Sequence, residues 1–206
     1  MLGQEAREFV PYLTLGLISW NYLTNSIIDG GNAFINSEGY IKQISLPIYV
    51  YIFRSFVSIG LTTLITFCAF VIVAVIYPVP IGWGTWFVIP GVLIMMTTSL
   101  LLITIFAHLN ARFRDVAHTV AVGMQVLFYV TPVIFPAKLL LDRGNMRYVI
   151  ELNPMYHLLE VVRRPLLTGQ SAEWESYLAA GIIIVTLAGL AAAVIANYRR
   201  RIVFAL

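Results

Sequence analysis

The chain has 206 residues, 60% of them hydrophobic and only 11% charged, with a formal net charge of +3 and a mean hydropathy of +0.86. Soluble domains carry about 25% charged residues, so 13 Lys+Arg and 10 Asp+Glu cannot clothe a water-facing surface for this much apolar material. The composition specifies an all-α integral membrane protein, and the small, scattered charge leaves no footprint for nucleic acid.

Residues 1–8 hold two acids and one Arg before the first apolar run, unlike the basic start of a signal peptide. A helix of about 20 apolar residues crosses the hydrocarbon core, and helices are required because lipid satisfies no backbone polar groups. Stretches free of charge cover 9–28, 55–111, 116–137 and 176–198. The second is too long for one span and is divided at Pro78, Pro80, Gly82 and Gly84, which predict a tight turn. Five spans follow, at about 9–28, 47–77, 87–108, 116–136 and 176–198.

The connectors carry the polar residues. Residues 29–46 include Gly30, Gly31, Asn32, Asn36, Glu38 and Lys42 and are long enough for a short helix across the membrane face. A basic corner follows at 110–115. The connector at 138–175 contains Asn153-Pro154, a cap followed by proline at the first helical position. That helix is expected to run to about Arg164 and to end at Pro165 and Thr168-Gly169. Leu152, Met155, Tyr156, Leu159 and Val162 fall on one side, with Glu160, Arg163 and Arg164 on another, as in an interfacial amphipathic helix. Pro132 is expected to bend the fourth span near Phe128. In the last span, Gly181, Ala188, Gly189, Ala192, Ala193 and Ala196 allow close helix approach, either within one subunit or between two copies. With the carboxyl end in the cytoplasm, Lys and Arg divide seven inside against six outside, which does not decide orientation.

Catalytic chemistry is sparse. The two lysines, Lys42 and Lys138, stand in no phosphate-cradling glycine loop. His108, His118 and His157 lack metal-ligand spacing, and no Ser/His/Asp set is apparent. Cys68 is the single cysteine, so no intrachain disulfide can form. Asp29 and Asp115 have no second carboxylate close by, which weighs against a membrane-embedded polyprenyl-phosphate transferase or phosphatase. The aromatics Tyr12, Trp20, Tyr22, Tyr49, Tyr51, Phe53, Phe128 and Tyr129 fit either packing and lipid contact or a stacking surface for sugar rings. Arg54 lies inside an apolar run, where it either snorkels to the head groups or meets the phosphate of a lipid-linked substrate.

Several segments, in order, carry a family resemblance: 9–20 (FVPYLTLGLISW), Asn32-Ala33-Phe34, Gly39-Tyr40-Ile41-Lys42, Leu46-Pro47, Arg112-Phe113-Arg114-Asp115-Val116, Thr131-Pro132-Val133-Ile134-Phe135-Pro136 and Leu152-Asn153-Pro154-Met155. The set resembles the membrane (permease) subunit of ABC type-2 polysaccharide exporters, which move O-antigen, capsule or teichoic acid across the bacterial inner membrane. The resemblance implies a cytoplasmic carboxyl end. It also implies a coupling helix within 29–46 and a second cytoplasmic contact at Arg112–Asp115, so that Glu38, Tyr40, Lys42, Arg112, Arg114 and Asp115 would meet an ATPase subunit. Tyr12, Trp20, Tyr22, Tyr49, Tyr51, Arg54, Phe128 and Tyr129 would serve the channel and its lipid-linked polysaccharide. Extracytoplasmic gate helices would fall within 138–170 and involve Pro132, Asn153, Pro154, Arg163 and Arg164. Two permease chains, as a homodimer among membrane lipids, would work with two ATPase chains that hold ATP and Mg, and this chain would bind no cofactor. Family members have six spans, so the first would be absent here, through truncation or a late start. Export of a drug or lipid by a related type-2 exporter is the alternative.

Overall fold

A computed structural model of the protein describes residues 2–43, 46–113, 115–134 and 150–198. Arg114, Phe135, Pro136, Lys138 and the Arg199–Arg201 run lie outside the described residues. Helix α1 covers Leu2–Ile28; two 3-10 turns, Gly30–Asn32 and Ile35–Ser37, lead into α2, Glu38–Gln43. Then come α3 (Tyr49–Ile76), a 3-10 turn at Trp83–Phe87, α4 (Val88–Arg112), α5 (Val116–Val130), α6 (Pro154–Thr168) and α7 (Trp174–Tyr198). No strand occurs among the described residues.

Among the described residues, three helices are long and apolar enough to cross a membrane: Tyr49–Ile76, Trp83–Arg112 and Trp174–Asn197. Helix α5 is apolar but has 15 residues. At 27 residues α1 has the length, but Asn21, Thr24 and Asn25 dilute its apolar character. Those polar groups are tolerated because α1 is flanked by α3, α4, α5 and α6 rather than by lipid alone. Helix α4 is the centre of the bundle. In its most apolar stretch 39% is buried, against 11% for α3 and α7, whose exposed Leu, Ile and Val side chains are suited to lipid.

Close backbone approach explains several glycines. A Cβ on Gly91 of α4 would collide with the Val161 carbonyl of α6. That carbonyl is the one Pro165 leaves without its helical N–H, so the proline and the glycine are complementary. The helix therefore continues through Pro165 to Thr168, further than the expected end at Arg164. It is closed by Gly169, whose φ of 65° is the left-handed conformation favoured at such caps. At its other end the Asn153 side chain accepts from the Met155 N–H, with Pro154 at the first position, as expected from the sequence.

Pro132 does not bend a longer helix; α5 stops at Val130. Thr131 is extended, at φ −88° and ψ 136°, because a residue preceding proline is driven out of the helical region. The small residues of the last span also depart from one expectation. Nothing lies within 4 Å of a Cβ built on Gly181 or Gly189, so these glycines do not mediate packing within the described chain. Helix α7 packs through buried Ala180 and Ala191 instead.

Candidate functional site

Helices α1 and α5 bound an open groove of about 310 Å³. Its lining includes Trp20, Asn21 and Thr24 from α1 and Gln125, Phe128 and Tyr129 from α5. The i, i+4 offsets Trp20/Thr24 and Ala121/Gln125 place each set on one helix face. Trp20 and Phe128 meet edge to face, with ring centroids 5.5 Å apart, and Phe128 meets Tyr129 at 5.7 Å. The Thr24 hydroxyl is buried without a partner. Asn21 and Gln125 are exposed, although both lie well inside their helices. The exposed Tyr129 ring, flanked by the exposed amides of Asn21 and Gln125, can stack on an apolar sugar face and hydrogen-bond its hydroxyls.

Of the eight expected channel residues, the groove gathers Trp20, Phe128 and Tyr129. Trp20, at 5% exposed, is as buried as Tyr22 and Tyr51, so among the groove aromatics the open ring is that of Tyr129, 77% exposed. Tyr49 is exposed, and Arg54 stacks on Tyr40 of α2 at 5.9 Å, at the opposite end of the bundle from the tryptophan-rich turn. Asn21, Thr24 and Gln125 were not singled out by sequence; their positions on the faces of Trp20 and Phe128 were the available signal.

Tyr12 lies elsewhere, against α6. Arg163 is only 2% exposed, which overturns its assignment to a polar helix face. The reason is local: its guanidinium lies 4.1 Å from the Tyr12 ring and its Nη1 donates to Tyr12 Oη at 2.5 Å and to the Pro132 carbonyl at 3.0 Å. Tyr12 Oη in turn donates to Pro132 O at 2.9 Å. A second tie runs from Asn153 Nδ2 to Thr131 Oγ1 at 2.9 Å. Pro132, Asn153 and Arg163 thus converge, whereas Arg164 pairs with Glu173 at 2.6 Å on the surface. Burial pushes the Glu160 carboxyl up, while Arg163 and Arg164 pull it down. Burial also raises the Tyr156 hydroxyl, reinforced by Glu160.

At the α2 end, Glu38 and Lys42 form a 2.6 Å pair one turn apart, and Tyr40 is exposed. Arg112 lies in the last turn of α4, over the Phe113 ring, and Asp115 precedes α5. No group of three or more His, Cys, Asp or Glu suited to a metal occurs among the described residues.

These features define a helical membrane protein with an open groove between α1 and α5. Residues 2–167 match the family described as ABC-2 type transporter, and the chain belongs to that family. It is similar to the O-antigen export system permease protein RfbA of Myxococcus xanthus, 27% identical over 163 residues, covering 77% of this chain and 61% of that protein. It is also similar to an O-antigen export system permease protein RfbA of Klebsiella pneumoniae, 25% identical over 189 residues, covering 89% of this chain and 71% of that protein. The chain therefore spans about 61% of the length of the Myxococcus relative.

Proposed function

We propose that this chain is a permease subunit of an ATP-driven exporter of a lipid-linked polysaccharide of the O-antigen type, working in the bacterial inner membrane. The observation that carries the reading is the pair of exposed amides, Asn21 and Gln125, facing one groove beside Trp20 and Phe128. Exposed amides well inside two largely apolar helices are costly against lipid and suit a water-filled path. The names of the relatives support the substrate class. In this reading two copies bring their grooves together, and two separate ATPase chains carry ATP and Mg. Helix α2 and the Arg112–Asp115 corner dock on those ATPases, and the segment around Pro132, Asn153 and α6 gates the far end.

The test is export by the chain reconstituted with its ATPase in proteoliposomes and supplied with a polyprenyl-linked glycan. Tyr129→Ala should lower export about 10-fold, since one stacked ring contributes on the order of 1–2 kcal/mol. A chain that moves a fluorescent lipid or a hydrophobic drug, but no glycan, would instead fit the lipid or drug exporter. Equal glycan export by the wild type and Tyr129→Ala would remove the groove from the pathway.

A further inference from the structure

Arg163 is the largest of the fully buried side chains among the described residues. A guanidinium carries five N–H donors. Here Nη1 is occupied by Tyr12 and Pro132, while Nε and Nη2 are buried without a partner. A buried cation satisfied on one edge only is a poor stabiliser, and buried charges of this kind are best understood as fixing a register or serving a switch.

What it joins is specific. The guanidinium belongs to α6, the tyrosine to α1, and the Pro132 carbonyl to the segment that leaves α5. Gly16, one turn after Tyr12, brings the α1 backbone against the same group: a Cβ there would stand 2.6 Å from Arg163 Nη2 and 2.8 Å from the Val133 carbonyl. Along α1, Gly16 is one turn before Trp20; along the chain, Pro132 is four residues after Phe128. The junction therefore sits just beyond one end of the groove, between the two helices that form its walls.

We propose that Tyr12, Arg163 and Pro132 form a releasable latch that sets the separation of α1 and α5, and with it the width of the groove. Arg163 and Tyr12 act as positioning residues, since neither is among the groove-lining residues. The latch deepens the export reading and rests on it only for its consequence in transport; its geometry is tested without substrate.

The experiment uses the full chain purified in detergent, with Cys68→Ser removing the exposed native thiol. Thr24→Cys, nearly isosteric, reports on the groove, and its reaction rate with a water-soluble maleimide is measured. Arg163→Met keeps volume and removes the charge; losing a charge-assisted hydrogen bond should raise the labelling rate at position 24 about 10-fold or more. Tyr12→Phe keeps the ring under the guanidinium and removes only the hydroxyl, for about a 3-fold rise. Ser37→Cys, only 3% exposed at the α2 end, is the control and should keep its rate. Should Arg163→Met fail to fold, Tyr12→Phe decides. Unchanged labelling at position 24 in the folded variants, or an equal rise at position 37, would overturn the latch. Loss of glycan export with the labelling pattern intact would count against the export reading alone.

Discussion

The middle of α1 and its α2 end are fastened by opposite chemistry. Around Tyr12 and Gly16 a charged group reaches across from α6 through directional hydrogen bonds. Beyond Ile28 the contact is between neutral groups at close range. A Cβ on Gly30 would stand 2.5 Å from Ile103 Cγ1, and one on Gly31 would stand 2.9 Å from Asn110 Nδ2. Asn110 Nδ2 reaches Asn32 Oδ1 at 3.4 Å, Ser26 and Ser99 share a 2.6 Å hydrogen bond, and Phe34 meets His108 edge to face at 5.1 Å. Dispersion falls off within a fraction of an ångström, so a close-packed joint holds one position or fails. A guanidinium on a long side chain can exchange acceptors while staying buried. The difference assigns the α2 end of α1 to fixed attachment on α4 and its middle, at Tyr12 and Gly16, to adjustable attachment.

The comparison breaks most sharply at Arg163. Arg163→Ala should cost about 3–5 kcal/mol by opening a cavity and unpairing the Pro132 segment, whereas Arg163→Met should stay within about 1.5 kcal/mol of wild type. Thermal unfolding of the purified variants in detergent gives the ordering. Equal losses for Ala and Met would mean that the charge itself stabilises the fold, and the adjustable attachment would have no basis.

Gly30→Ala should cost about 1–3 kcal/mol, because the Ile103 side chain behind it is itself fully buried and has little room to move. Gly60→Ala on α3, where nothing lies within 4 Å of the new Cβ, should instead be neutral or gain up to about 1 kcal/mol in helix propensity. Opposite signs at two glycines of one bundle would confirm that the joint is set by close approach. A gain at Gly30 would show the joint to be loose. Ser99→Ala is smaller, at about 1 kcal/mol, since Ser26 keeps its bond to the Tyr22 carbonyl.

Much of this was legible in the sequence, for a simple reason. Lipid exposure forces long uncharged runs, so α3, α4 and α7 begin and end close to where the charges and the Pro78–Gly84 turn placed them. Asn153-Pro154 was legible because capping is local. Arg163 was not: its helical position suggested a polar face, but α6 packs against α1, α4 and α7, so Arg163 meets protein while Arg164, the next residue, pairs at the surface. The groove was half legible. Aromatic content pointed equally to Tyr129, exposed in the groove, and to Trp20, Tyr22 and Tyr51, which are buried, and only tertiary packing separates a groove wall from a core. Residue type alone carries no direction.

The smallest stability effect tests the most distant consequence. Glu38 and Lys42 form an i, i+4 pair that is 36% and 52% exposed, and α2 buries none of its residues. Such pairs contribute only about 0.3–0.5 kcal/mol, so replacing both by Ala should leave unfolding almost unmoved. An exposed, charged, six-residue helix attached to a close-packed joint is nonetheless well placed to take force from a partner. If α2 docks on the ATPase, the double variant should keep its melting temperature, insert normally, and lose both ATPase co-purification and export. The low-salt dependence is a further readout, because exposed charges are screened beyond about 10 Å at 0.1 M salt: raising salt should weaken the wild-type complex toward that of the variant. Export and co-purification that match wild type would remove Glu38 and Lys42 from the contact. The Gly30–Asn32 attachment would then be an anchor for the bundle, with no part in transmission.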